Sequence, residues 1–365
     1  MPSSDVSLKK SLEARYFTDS ALFEEETRKI FYDRWLYLDR ASAIENPGDY
    51  TAVELEGQGL ILIRDRDGQE KVYHNMCRHR GTRLLGEASG HCSKVIRCPY
   101  HAWSYALDGS LVGAPHMEET EGFKKEDYPL ISPAHTTWEG GVFVHLGDSP
   151  EPFEEAFAPV LTKFSPWHIG ELKPVHREVY EVAANWKLVV QNYSECYHCP
   201  SVHPELQPLS HYRATSNDLE EGPFLGGPMR ITKEGGGLSR GGKRTAPPLP
   251  GLTAENLQQA YYYLLFPTLL VSLQPDFVLM HQLQRVSAGH TRITCQWLYH
   301  PQAIEGGNFD PQPTIDFWDK VNREDWLVSE LTQKGMASRA YTPGPYSSLE
   351  GMLVAFDREY LKAMA

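Results

Sequence analysis

The period of the apolar positions changes along the chain, and those changes divide it. Leu22, Ile30, Phe31 and Trp35 fall at helical spacing behind the capping side chains of Thr18, Asp19 and Ser20. This predicts an amphipathic helix within an N-terminal arm, residues 1–40, that packs on a later element. From Asp49 the apolar residues come in short branched runs, 50–55 and 60–64, set apart by Gly57, Gly59 and Asp67-Gly68. Such runs predict hairpins of a small antiparallel β domain over residues 41–150, closed by a strand at 140–147. Ser149-Pro150-Glu151-Pro152 reads as a linker into a larger domain, 151–365. There, 161–164, 172–180 and 186–190 carry a helical pattern, 261–270, 277–283 and 291–299 a strand pattern, and 315–330 a helical one again. The fold class expected is α+β.

Composition narrows the partners. The 365 residues suffice for two domains, and the formal net charge of −13 argues against nucleic acid or an anionic membrane as partner. Met1-Pro2-Ser3-Ser4-Asp5 is not a basic region leading into an apolar one, and no apolar run approaches the roughly eighteen residues of a membrane span. A cytoplasmic protein is expected. Six cysteines in a chain of this size do not make a disulfide scaffold, so spaced Cys and His residues point to metal. Residues 233–251, rich in Gly, Pro and basic side chains, read as a flexible loop. A lid over a pocket and a solvated insertion are both open readings of it.

Two constellations carry the chemistry. In the β region, Cys77-Arg78-His79 is followed by Cys98-Pro99-Tyr100-His101. Structural zinc usually takes paired cysteines and paired histidines, whereas each loop here offers one thiolate and one imidazole. A [2Fe-2S] cluster with two histidines replacing two cysteines on one iron requires that set. The second constellation is Glu195, His198 and His203, a carboxylate and two imidazoles within nine residues. Two histidines and a carboxylate form the facial ligand set of non-haem Fe(II) oxygenases. An ordinary helix end with hydrogen-bonded histidines is the alternative. Cys92, without a partner at ligand spacing, reads as a packing or surface residue, and Cys196 and Cys199 as packing residues, since soft thiolate does not suit such an iron.

With both constellations in this order, the chain resembles the α subunits of Rieske non-haem iron oxygenases over nearly its whole length. The resemblance implies that Cys77 and Cys98 bind one cluster iron and His79 and His101 the other. It implies that His198, His203 and Asp325 hold a mononuclear Fe(II); Asp325 matches the family's aspartate because a glutamate, Glu330, follows it five residues later, and Glu324 and Asp316 are the neighbouring alternatives. Glu195 then leaves the metal shell and bridges His198 to His101 of a neighbouring subunit in a head-to-tail homotrimer, α3. Asn192 lies near the iron. Electrons would come from NAD(P)H through a separate flavin and iron–sulfur reductase, with O2 as co-substrate; no G-x-G-x-x-G joins strand to helix in this chain.

The C-terminal half resembles members acting on glycine betaine, carnitine and related N-methyl compounds. The expected activity is therefore monooxygenation of a small quaternary or N-methyl amine, with Tyr263, Phe266, Phe277 and Trp297 available as an aromatic cage. Aromatic-ring hydroxylation or O-demethylation is the alternative within the family. A Rieske electron-transfer protein is the alternative outside enzymes, but it would leave the second constellation and Asp325 unexplained.

Overall fold

The computed structural model describes residues 9–365; the first eight residues of the expected arm, with the N-terminal pentapeptide, lie outside the described residues. The chain forms two compact units, one of residues 31–156 and one joining residues 9–30 to 157–365.

The first unit is built from short antiparallel strands. β1 (Trp35–Arg40), β2 (Asp49–Leu55), β3 (Gln58–Arg64), β4 (Glu70–His74) and β5 (Ser89–His91) are followed by β6 (Val95–Arg97), β7 (Ser104–Ala106) and β8 (Leu111–Gly113). β9 (Ala134–Trp138) and β10 (Gly141–His145) close it. Three sheets result, ordered β4-β3-β2-β5, β6-β7-β8 and β1-β10-β9. Trp35 belongs here, contrary to the helix expected through it. Its strand pairs with β10 from Trp35↔His145 to Arg40↔Gly141, and five of its six residues are buried. Burial of a strand on both faces erases period-2 alternation, so the sequence pattern could not separate it from a helix.

In the second unit the arm contributes α1 (Ser20–Lys29), capped by Asp19, whose Oδ1 accepts from Ala21 N at 2.7 Å. It is followed by α2 (Ala158–Phe164), β11 (Lys173–Val182) and α3 (Trp186–Tyr193). Then come β12 (Phe224–Arg230), β13 (Gln259–Leu265), β14 (Leu269–Leu273), β15 (Val278–Ser287) and β16 (His290–Tyr299). α4 (Gln312–Met336) and α5 (Gly351–Met364) complete it. The strands form one antiparallel sheet, β11-β16-β15-β14-β13-β12.

Residues 172–180 are thus mostly strand, not helix. β11 is an edge strand that buries only Tyr180 and Val182, so its charged exposed positions mimic an amphipathic helix, and Pro174 is tolerated where an edge needs no donor. The run 261–270 likewise splits into β13 and β14 around Pro267.

The sheet register decides what faces the site. Leu225, Leu264, Leu270, His281 and Cys295 stand directly opposite one another, as do Gly227, Tyr262, Ser272, Leu279 and Trp297. Opposed residues share a face, so this set forms one surface of the sheet. α4 covers part of it, with Asn322 bonded to His281 and Asp319 to Tyr180. The other surface packs on α2 and its neighbours, with Phe164 against Tyr263 at 5.2 Å and Trp167 against Tyr261 at 5.0 Å between ring centroids. No described helix is long and apolar enough to cross a membrane.

Candidate metal centres and the substrate cavity

The two Cys/His loops of the first unit are built alike. Gly81 N bonds back to Cys77 O at 3.0 Å, and Ala102 N to Cys98 O at 3.2 Å. The fourth residue after each cysteine is left-handed, Gly81 at φ 73° and Ala102 at φ 59°. Both cysteines are buried, at 1% and 3% exposure, and both histidines are exposed. The loops therefore offer two thiols inside and two imidazoles outside, with the histidine rings 4.9 Å apart. His79 stacks on Trp103 at 4.8 Å and 9°, and His101 on Tyr100 at 3.7 Å. Tyr105 Oη lies 3.4 Å from Cys77 Sγ and accepts from Arg78 N. This arrangement of donors fits a cluster whose inner iron takes sulfur and outer iron nitrogen. Trp103 and Tyr105 escaped the sequence reading because an aromatic on a strand is, by default, core.

In the second unit α3 ends at Tyr193, where Ser194 Oγ bonds back to Val190 O at 2.7 Å. Glu195 and His198 lie not on a helix but in the segment that follows it. A second short helical turn, Cys199–Val202, leads to His203, and Asp325 projects from α4. His203 Nε2 is 2.8 Å and His198 Nε2 3.3 Å from Asp325 Oδ1, and the two Nε2 atoms are 3.2 Å apart. Among the described residues this trio forms the group able to hold a metal ion.

The outer nitrogens are engaged by carboxylates. His198 Nδ1 meets Glu195 Oε1 at 2.6 Å, and His203 Nδ1 meets Glu324 Oε2 at 2.8 Å. A carboxylate only accepts, so each Nδ1 carries the proton and each Nε2 turns a lone pair inward. Two facing lone pairs and a carboxylate oxygen repel unless a cation lies among them, so the residues fit a divalent metal. Glu195 Oε2 also accepts from the amides of Tyr197 and His198, which fixes its side chain. Glu324, an alternative to Asp325 in the sequence, instead braces His203 from 121 residues away.

Cys196 and Cys199, expected as packing residues, are joined as a disulfide, their Cα atoms 5.0 Å apart. The turn that presents His198 brings the two sulfurs together. Cys77, Cys92, Cys98 and Cys295 are free.

A cavity of roughly 840 Å³, counting the solvent at its mouth, opens beside the triad. Leu225, Gly227, Met229, Tyr262, Leu264 and His281 form its sheet side; Trp318, Val321, Asn322 and Trp326 of α4 and Tyr193 of α3 enclose it. Asn192 lines it too, and its Oδ1 has no hydrogen-bond partner among the described residues. The aromatics expected as a cage are not among the lining residues. Tyr263 sits on the far surface of the sheet, where its hydroxyl donates to Asp218 at 3.0 Å, while Phe266, Phe277 and Trp297 are core. Period-2 alternation sends Tyr262 to the cavity and Tyr263 away from it. The loop 233–251 is anchored at points and exposed between them: Leu238 and Leu249 are buried, Lys233, Arg240 and Lys243 are exposed, and Leu238 O accepts from Trp318 Nε1 at 3.1 Å. It braces the cavity wall through that tryptophan.

Residues 34–125 match the Rieske [2Fe-2S] domain, and residues 169–365 match the catalytic domain of the ring hydroxylating alpha subunit. The chain belongs to the ring-hydroxylating oxygenase α subunits. The glycine betaine monooxygenase oxygenase subunit of Chromohalobacter salexigens is 30% identical to this oxygenase over 92% of this chain and 82% of its own. The carnitine monooxygenase oxygenase subunit of Acinetobacter baumannii is 36% identical over 52% of this chain and 51% of its own. Among solved structures, the quaternary ammonium Rieske monooxygenase CntA superimposes with a TM-score of 0.82 at 25% identity, covering 98% of this chain and 96% of that one. Naphthalene 1,2-dioxygenase from Rhodococcus sp. shares the fold, with a TM-score of 0.81 at 19% identity over 97% and 94% of the two chains. This oxygenase therefore carries a Rieske [2Fe-2S] domain and a non-haem iron catalytic domain, uses O2, and takes NAD(P)H electrons through a separate reductase.

Proposed function

We propose that this chain is the terminal monooxygenase of a system that hydroxylates an N-methyl carbon of a small quaternary or N-methyl amine, releasing formaldehyde. The observation that carries the substrate class is the cavity, where Tyr193, Tyr262, Trp318 and Trp326 gather beside the triad. A well-placed ring over a cationic nitrogen adds on the order of 0.5–2 kcal/mol. The betaine and carnitine monooxygenase relatives support the same class.

His198, His203 and Asp325 hold the mononuclear iron in this reading, and Cys77, His79, Cys98 and His101 hold the cluster. Bound there, the iron supplies reductive activation of O2. The protein's part is to orient and to exclude water. Glu195 and Glu324 fix the two histidines through their Nδ1 protons, and Asn192 offers a carbonyl oxygen at the cavity edge. Glu195 also provides the electron path to the cluster of the next subunit, by bonding that subunit's counterpart of His101. This role requires a head-to-tail ring, which we take to be a homotrimer working in the cytoplasm with its reductase.

The test is turnover of the holoenzyme with a surrogate reductase. Formaldehyde released from N-methyl amines, with about three irons per chain, is the expected result. Hydroxylated aromatic products with no formaldehyde would replace the substrate class.

A further inference from the structure

We infer that His281 is a specificity-determining residue and that the substrate is an N-methyl compound that directs an O–H or N–H donor at the Nδ1 of His281. This deepens, and rests on, the N-methyl amine reading above.

The inference begins outside the cavity, at Asp319. Its carboxylate can only accept, so Tyr180 must donate to it, at 2.8 Å. With its hydrogen committed, the Tyr180 oxygen accepts from Asn322 Nδ2 at 3.4 Å, and the same amide nitrogen faces Cys295 Sγ at 3.6 Å. The Asn322 carbonyl oxygen is thereby turned to His281 Nε2, 3.1 Å away. That nitrogen must carry the ring's hydrogen. The ring is 2% exposed, and burial pulls its pKa down to about 4, which keeps it neutral at physiological pH. Nδ1 is therefore a bare acceptor, and nothing among the described residues bonds to it.

A buried acceptor left unpaired is costly, and a ligand that supplies the missing hydrogen removes the cost. His281 lies on the sheet side of the cavity, so the ligand placed to do this is the substrate.

The lining includes neither lysine nor arginine, and its two carboxylates are already committed, Asp325 to the iron and Glu195 to His198 at 2.6 Å. A substrate carboxylate has no hydrogen to give, so it leaves His281 Nδ1 unpaired. N-methylated amino alcohols and protonated tertiary amines both satisfy the donor requirement.

Calorimetric titration of the holoenzyme with matched ligands decides it. The set is ethyl-, 2-hydroxyethyl- and carboxymethyl-trimethylammonium, with protonated N,N-dimethylethylamine as the N–H arm. The hydroxyethyl compound, the dimethylethylamine or both should bind about ten-fold more tightly than the ethyl compound, and the carboxymethyl compound should bind more weakly than the hydroxyethyl one. Which donor arm gains identifies the source of the hydrogen. In His281→Phe the ratio of the donor-bearing ligand to the ethyl ligand should fall to about one, and His281→Gln, which keeps an amide oxygen, should restore part of it. A tightest-binding carboxymethyl ligand, or a ratio unmoved by His281→Phe, overturns the inference while leaving N-methyl amine oxidation standing. Binding of none of the four, together with no formaldehyde, overturns both.

Discussion

At the scale of single residues, this site depends on which atom of each histidine is free. His198, His203 and His281 all sit near the triad, yet each is assigned by a different partner: Glu195, Glu324 and Asn322. For the first two, a carboxylate on Nδ1 leaves Nε2 for the metal; for the third, an amide oxygen on Nε2 leaves Nδ1 for substrate. Such outer partners typically change metal affinity by 10–100-fold when removed. Glu324→Ala should therefore lower iron affinity about ten-fold or more, read as iron retained after graded chelation, while the visible spectrum of the cluster stays intact. Unchanged retention would mean that His203 is held by the backbone alone. Glu195→Gln should bind both metals and stall substrate oxidation with the cluster still reduced, which stopped-flow absorbance would detect. Cys77, His79, Cys98, His101, His198 and His203 were legible because Cys and His at such spacing are rare for any other purpose, whereas Asp325, 122 residues from His203, was reached only through the family resemblance. The roles of Glu324 and Asn322 were not legible, because they lie in contacts made 121 and 41 residues away.

At the scale of elements, the arm shows how a helix of modest length is fixed. α1 is short, but it delivers Glu26 into the core, where the carboxylate accepts from Lys187, from Tyr360 at 2.8 Å, from Trp186 at 2.9 Å and from Arg285 at 3.0 Å. The Glu26, Lys187 and Arg285 side chains are at most 1% exposed. Removing one partner of a buried ion pair typically costs about 3–5 kcal/mol, because the other charges stay buried. Glu26→Ala should lower stability by about that much in urea unfolding, and Glu26→Gln by less. A second element-level device joins α5 to α3. Asp357 accepts from Gln191 and Tyr346, both at 2.8 Å, and burial raises its pKa from 3.8 to about 6. Between those values the folded chain holds a proton that the unfolded chain has lost. Stability therefore falls as pH rises from about 4 to about 6, by at most about 3 kcal/mol from this group. Asp357→Asn should flatten the dependence of the urea midpoint on pH across that window. None of this was visible in sequence, nor was β11, whose edge position lets charged residues alternate with small apolar ones. The central strands, buried and branched, were legible.

At the scale of the whole molecule, the two cofactor sites lie in separate compact units, and the proposed use of Glu195 requires electrons to pass between subunits. That requirement can be tested without a structure of the assembly. Cys77→Ser should disable the cluster of a chain while leaving the His198, His203 and Asp325 site, and Asp325→Ala should do the reverse. Each variant alone should be inactive, whichever route electrons take. Co-expressed at equal levels, they assemble at random into mixed rings. In a head-to-tail ring every subunit has one neighbour facing its iron, so a working pair forms when an iron-competent chain meets a cluster-competent one in the right order. The chance is about one in four per interface for random mixing in a cyclic trimer, so the mixture should recover about one quarter of wild-type formaldehyde release per chain. Transfer within a subunit predicts no recovery, since no chain then carries both working sites. Adding Glu195→Gln to the Cys77→Ser chain places the broken bridge on the subunit that holds the working iron, and should abolish the recovered activity. Adding it instead to the Asp325→Ala chain, whose own iron site is already lost, should leave recovery at about one quarter. The contrast between those two triple combinations assigns direction as well as route: it identifies the iron-bearing chain as the one whose glutamate receives the electron.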